Sequence, residues 1–224
     1  MPQWIYADTD LGFGHFASAP DKYHRQSMLE QRIQQHFIDS ADVKYQSAQA
    51  LSDPINAAVQ ALLACVTNGS KVLACGAGLS SAQALQFAMM CVAGFERERP
   101  ELAAMALSAD AGWAGTLGQS FEVGAFARQV RALGAAGDVL LVLCVNGDEP
   151  ALLEAVLAAH ERDMSVIALC ARDSGAMGGV MRETDVQICV PHDRAARVRE
   201  VHLLILHCLC DGVDTQLLGE QEML

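Results

Sequence analysis

The stretch Lys71–Cys91, KVLACGAGLSSAQALQFAMMC, decides how the chain is read. Val72 to Cys75 is a short apolar run of the kind that forms a buried strand, and Gly76, Ala77 and Gly78 follow it as a turn. From Ser80 the apolar residues recur at helical spacing through Ala84, Phe87, Ala88 and Cys91. Open α/β sheets place such a strand, glycine turn and helix start where ligands bind, at the carboxyl ends of strands. Gly76 and Gly78 let a ligand approach the backbone, and the helix amides and dipole favour an anion, with Ser80 or Ser81 as cap and donor. A phosphate is the natural guest, although the same turn also serves as a plain connector. It is not a Walker A loop, because no Gly-Lys-Ser/Thr follows. It also falls short of the dinucleotide fingerprint. Ser81 holds the third glycine position, and Asp110 lies well beyond the spacing of about 20 residues expected for the ribose-binding acid.

On the N-terminal side, residues 1–27 carry no helical or strand period and read as an irregular arm. A helix with Leu29, Ile33, Phe37, Ala41, Tyr45 and Ala48 follows. Ser52-Asp53-Pro54 then predicts a second helix start, with Asn68-Gly69 as its stop. On the C-terminal side, GFERERP reads as a solvated turn and Leu102–Leu107 as a strand. The glycine-rich AGWAGTLGQSFEVG beyond it is either a binding loop or a connector. Asp138–Val145, DVLLVLCV, is the most continuous apolar run and the best candidate for a central parallel strand. Asp148 and Glu149 stand where they would cap the helix that follows, meeting an incoming phosphate with like charge. Further strands are expected at Met164–Cys170 and Asp185–Val190, and a last helix from about Asp193 to Asp214. The alternation predicts a doubly wound α/β fold, with five parallel strands in a flavodoxin-like sheet and additional N-terminal helices.

Fifteen Lys and Arg against 27 Asp and Glu give a formal charge of −12, which argues against direct nucleic-acid binding or an anionic membrane surface. The eight cysteines lack Cys-x-x-Cys spacing and read as buried thiols of a reducing cytoplasm. No apolar run approaches the roughly 18–20 residues of a membrane span, and no signal-peptide pattern opens the chain.

Taken together, VLACGAGLSSAQALQFA, RQVRALGAAGDVLL, RDMSVIAL and RAARVREVHLLILHCLCDGVD resemble the sugar-isomerase (SIS) domain proteins of the phosphoheptose isomerase type. The resemblance covers about Met28 to Leu218, which makes 28–218 the domain and 219–224 a tail. Within the family the likeness is greatest to the non-catalytic branch that associates with the bacterial replication initiator DnaA. Both branches imply a cytoplasmic homotetramer. In the isomerases a metal lies between a His and a Glu on the helix after the glycine turn and a Gln and a His on the last helix. Here the matching positions are Gln86, Met90, Arg199 and His207, so only one ligand type survives. The isomerases' Ser/Thr-rich phosphate loop is replaced by Cys144-Val145-Asn146-Gly147-Asp148-Glu149.

These departures lead to an expectation of no enzymatic activity and no cofactor: a homotetrameric regulator holding the replication initiator protein through Leu217 and Leu218, just beyond the last helix. Two alternatives are kept. One is a phosphoheptose isomerase acting on sedoheptulose 7-phosphate with an altered site, in which zinc would return and His207 and Asp110 would be the weak acid/base candidates. The other is a sugar-phosphate sensor. For either, Gly76, Gly78, Ser80, Ser81 and Asn146 are the ligand-binding candidates.

Overall fold

A computed structural model describes residues 22–108 and 119–219. In order the elements are α1 (Lys22–Thr67), β1 (Val72–Gly76), α2 (Ser80–Ala93), β2 (Ala104–Ala106) and α3 (Gln119–Leu133). There follow β3 (Val139–Leu143), α4 (Pro150–Glu161), β4 (Ser165–Cys170), the single turn α5 (Met177–Val180), β5 (Val186–Cys189) and α6 (Ala195–Leu218). Chain contacts define two units, Met1–Ile38 and Asp39–Leu224. In the first, the described helical residues expose Met28, Leu29, Ile33, Phe37 and Ile38. The second contains the sheet.

All five strands are parallel, in the order β2-β1-β3-β4-β5. This is the doubly wound architecture expected from the alternation, with the DVLLVLCV run in the centre. Each strand residue shows its side chain to one of two apolar layers, so the inner strands read as unbroken apolar runs. Val72, Ala74, Val139, Leu141, Leu143, Ile167 and Leu169 pack with α1, α2 and α6. Leu73, Cys75, Leu140, Val142, Val166 and Ala168 pack with α3 and α4.

Several boundaries differ from the sequence reading. Helix already begins by Lys22, inside the expected irregular arm, and the arm's first 21 residues lie outside the described residues. The expected break at Ser52-Asp53-Pro54 is absent: Pro54 lies inside one continuous helix, and Ser52 Oγ turns back to donate to Ala48 O at 2.6 Å. An interior proline costs roughly 3 kcal/mol through its missing N–H and ring clash. Leu51, Ala58, Val59, Leu62 and Cys65, buried on both sides of it, recover more than that. Gly212 of α6 sits so close that a Cβ there would lie 2.7 Å from Val59 Cγ2. At its far end α6 runs four residues past the expected Asp214. By length and composition α1 and α6 could each cross a membrane, contrary to the expectation of no such run. In α6 that apolar character is spent on the core, through Val198, Val201, Ile205, Leu206 and Leu209.

GFERERP is more than a solvated turn. Arg99 Nε donates to Asp214 Oδ1 at 2.5 Å with both side chains buried, and its other nitrogens donate to Cys91 O and Met90 O. At the amino edge of the sheet Asp138 accepts from Lys71 N at 2.9 Å, Ala135 N at 2.8 Å and Lys71 Nζ at 2.5 Å. Burial alone would raise the Asp138 carboxyl, but these bonds outweigh it and hold it below the usual carboxylate range.

Removing Arg99 leaves Asp214 charged and buried, so Arg99→Ala is expected to cost about 3–5 kcal/mol in urea unfolding. A carboxyl depressed in the folded state lends stability above about pH 4 and loses it as pH falls through the lower folded value. The Asp138→Asn variant should therefore be less stable than the parent at neutral pH, and the gap should close on acidification.

Candidate functional site

The strand order places a topological switch point between β1 and β3: the chain leaves β1 toward β2 on one side and returns to β3 on the other. Crevices at such points, outside the carboxyl ends, are where open α/β sheets bind ligands. Gly76 pairs with Leu143, so the Gly76–Ser81 turn and the Cys144–Glu149 loop emerge side by side. The two stretches singled out in the sequence thus share one edge.

Their local chemistry differs from expectation. Gly76 is required by its own helix: a Cβ there would lie 2.6 Å from Ser80 O. Gly78 has φ +56° with open space around its Cβ position, so it is the glycine that leaves room for a guest. Neither serine caps the helix. Leu79 holds the N-cap position without a side-chain bond, Ser80 is a buried first-turn residue, and Ser81 Oγ donates to Gly78 O at 2.7 Å. The Ser80 and Ser81 amides bond to Ala77 O and Gly78 O.

In the loop after β3, Asn146 is exposed, and Gly147 has φ +74° and packs so closely that a Cβ there would fall 1.9 Å from Ser174 O. Asp148 does not cap its own helix; Oδ1 accepts from Ala176 N at 2.8 Å and ties this loop to the one after β4. Glu149 takes the N-cap position with no side-chain capping bond, and its Oε2 is buried without a partner. Beneath the loop, Cys144 Sγ and Cys170 Sγ lie 3.1 Å apart. Burial pushes the nearby Cys75 thiol up to about 12, so it stays protonated.

The remaining candidates fall elsewhere. Gln83 Nε2 donates to Arg199 O at 2.8 Å, bringing the first turns of α2 and α6 together near the crevice. His207 lies two turns further along α6, about 12 Å in helical rise, packed against Phe95 just past the end of α2 with ring centroids 5.1 Å apart and the rings tilted by 30°. One chain therefore does not bring His207 to the glycine turn. Gln86 is exposed and Met90 buried, and both line a concavity of about 370 Å³ on α2 with Ala82, Leu85, Met89 and Ala93. Burial lowers the His202 pKa to about 4, and the neutral ring bonds through Nε2 to Cys170 O at 3.2 Å. Leu217 and Leu218 belong to the last turn of α6, 38% and 48% exposed, and do not lie beyond it as expected. Asp110 lies outside the described residues. Sequence reasoning missed Asp148's cross-loop bond and the Arg99–Asp214 pair, since a single carboxylate or guanidinium in a loop carries no signal of its distant partner.

A family-implied zinc finds a poor set of donors here. Gln86, Met90 and Arg199 present an amide, a thioether and a cation where zinc takes imidazole, thiolate or carboxylate. Among the described residues no group of three His, Cys, Asp or Glu side chains is placed to hold an ion.

Residues 35–171 match the SIS domain family. The chain is 56% identical over 197 residues to the phosphoheptose isomerase of Methylibium petroleiphilum, covering 88% of this chain and 98% of that protein. The phosphoheptose isomerase of Azoarcus sp. is 46% identical over 195 residues, covering 87% and 99%. The solved phosphoheptose isomerase of Neisseria gonorrhoeae superposes with a TM-score of 0.78 at 41% identity, covering 84% and 99%. These relatives overturn the expectation of a non-catalytic regulator of replication initiation and favour the enzyme alternative; none of them supports the likeness to the initiator-associating branch. Absent ligand types misled that reading, because they speak to one metal set and not to the whole reaction.

Gly147→Ala should cost about 2 kcal/mol or more and loosen the loop after β3, since a Cβ meets the Ser174 backbone and φ is positive. Thermal melts, with hydrogen exchange at Ala176 and Met177, would measure both effects. With its sheet order, its switch-point crevice and these relatives along nearly its whole length, the chain belongs to the SIS domain family, among homologues of phosphoheptose isomerases.

Proposed function

We propose that this chain interconverts the aldose and ketose forms of a phosphorylated sugar, with sedoheptulose 7-phosphate the first substrate to try. The observation that carries this reading is the 56% identity, over 88% of the chain, to a protein named phosphoheptose isomerase. The switch point between β1 and β3, where open α/β sheets receive ligands, adds a place for the sugar phosphate.

In this reading the phosphate is held by backbone and not by hydroxyls. The amides of Gly78 and Leu79, at the positive end of α2, approach it where Gly78 lacks a side chain. Asn146 supplies an amide from the facing loop. Like charge from Glu149 confines the phosphate to the β1 side of the crevice.

Aldose–ketose conversion moves a proton between C1 and C2 and another between the two oxygens, which calls for one group that accepts and returns a proton. An imidazole suits this near neutral pH, and His207 is the candidate. Because His207 stands at the opposite end of α2 from the glycine turn, the reading also calls for a homotetramer, in which crevice and imidazole meet across copies. The exposed Leu29, Ile33 and Phe37 stripe supports such assembly. We place the assembly in the cytoplasm, where eight free thiols would persist.

The test is turnover of sedoheptulose 7-phosphate, followed by NMR on protein whose assembly is checked by sedimentation. His207→Ala is expected to lower kcat by about 100-fold or more with little change in KM. A well-assembled protein that binds the sugar phosphate but does not convert it would sink the reading.

A further inference from the structure

We propose that this chain maintains its site without a bound divalent metal: the α2 and α6 positions at which the family resemblance implies an ion carry Gln86, Met90 and the cationic Arg199, with His207 the one donor that suits zinc. The hollow on α2 is walled by Ala82, Leu85, Gln86, Met89, Met90 and Ala93, with no carboxylate, imidazole or thiolate among them. On α6 the carbonyl of Arg199 accepts from Gln83 Nε2 at 2.8 Å, and the family position there is filled by a guanidinium. A guanidinium carries its charge at every working pH and repels a second cation. Of the four positions His207 alone offers a ring nitrogen, and it packs against Phe95.

The thiols nearby do not make good the loss. Cys91 and Cys210 meet across the same seam, where the neighbouring thiol and burial push Cys210 strongly upward, so it stays protonated and is not a ready ligand. Asp214 already pairs with Arg99. A single imidazole leaves zinc three donors short of its usual four.

This inference goes beyond the isomerase reading and does not depend on it, because metal content can be read whether or not the chain turns sugar over. Protein expressed in zinc-supplemented medium and purified without chelator would be analysed by plasma mass spectrometry and by thermal melts with and without zinc. The parent is expected to carry less than about 0.1 zinc per chain and to melt unchanged, whereas a chain with Gln86→His, Met90→Glu and Arg199→Gln is expected to hold about one. Near-stoichiometric zinc in the parent, lost in His207→Ala, would overturn the proposal. So would a folded, assembled triple variant that still takes up no zinc, since side-chain chemistry at these positions would then not be what excludes the ion.

Discussion

The pairing of β1 with β3 is the constraint on which the rest of the structure depends, and Asp138 holds it at the amino edge. One carboxylate accepts from the amides of Lys71 and Ala135 and from the Lys71 ammonium, which joins the residue before β1 to the residue before β3. With Val72 opposite Val139 at that edge, Gly76 falls opposite Leu143 at the other, and the two loops of the crevice emerge as neighbours. A shift of register here would misplace both loops together, because side chains alternate faces along each strand. The functional edge is thus set from the opposite end of the sheet by an ion pair that touches no ligand.

Around that pair the molecule divides its ionisable groups by place. At the amino edge His160 Nε2 lies 2.8 Å from Asp185 Oδ2, and Asp185 also accepts the Val166 and Arg182 amides. At the carboxyl edge the buried imidazole of His202 is kept neutral by burial. Buried charges are tolerated where they are matched, as Arg99 with Asp214, and avoided where a ligand must enter. The carboxyl edge at β1 and β3 is left with the backbone amides of the glycine turn, the exposed Asn146 and Glu149.

The enzyme reading and the poor metal set are compatible. Isomerisation of a sugar phosphate requires positioning and a proton carrier, and a divalent ion is one of several ways to stabilise the charge that develops. At the positions for which the family resemblance implies ligands this chain carries Gln86, Met90, Arg199 and His207, and it shares its scaffold with the homologous phosphoheptose isomerases.

The sequence by itself determined the sheet. Apolar runs at Val72, Val139 and Ser165 are buried on both faces, so burial leaves no other reading for them, and the glycines at 76, 78 and 147 mark loops whose backbones only glycine fits. It determined less where distant partners outweigh local preference. Pro54 and Ser52 spell a helix start, yet packing against α6 and the sheet carries the helix through them. Asp148 spells a cap for its own helix, yet bonds a loop 28 residues away. GFERERP spells solvent, yet Arg99 finds Asp214 buried 115 residues later. Which residues share a site was decided only by the tertiary structure, since the distance of His207 from the glycine turn follows from two parallel helices fastened at Gln83–Arg199 and Phe95–His207. Propensity and period are local properties of the chain, whereas a pairing between residues a hundred positions apart exists only once the sheet has brought them together.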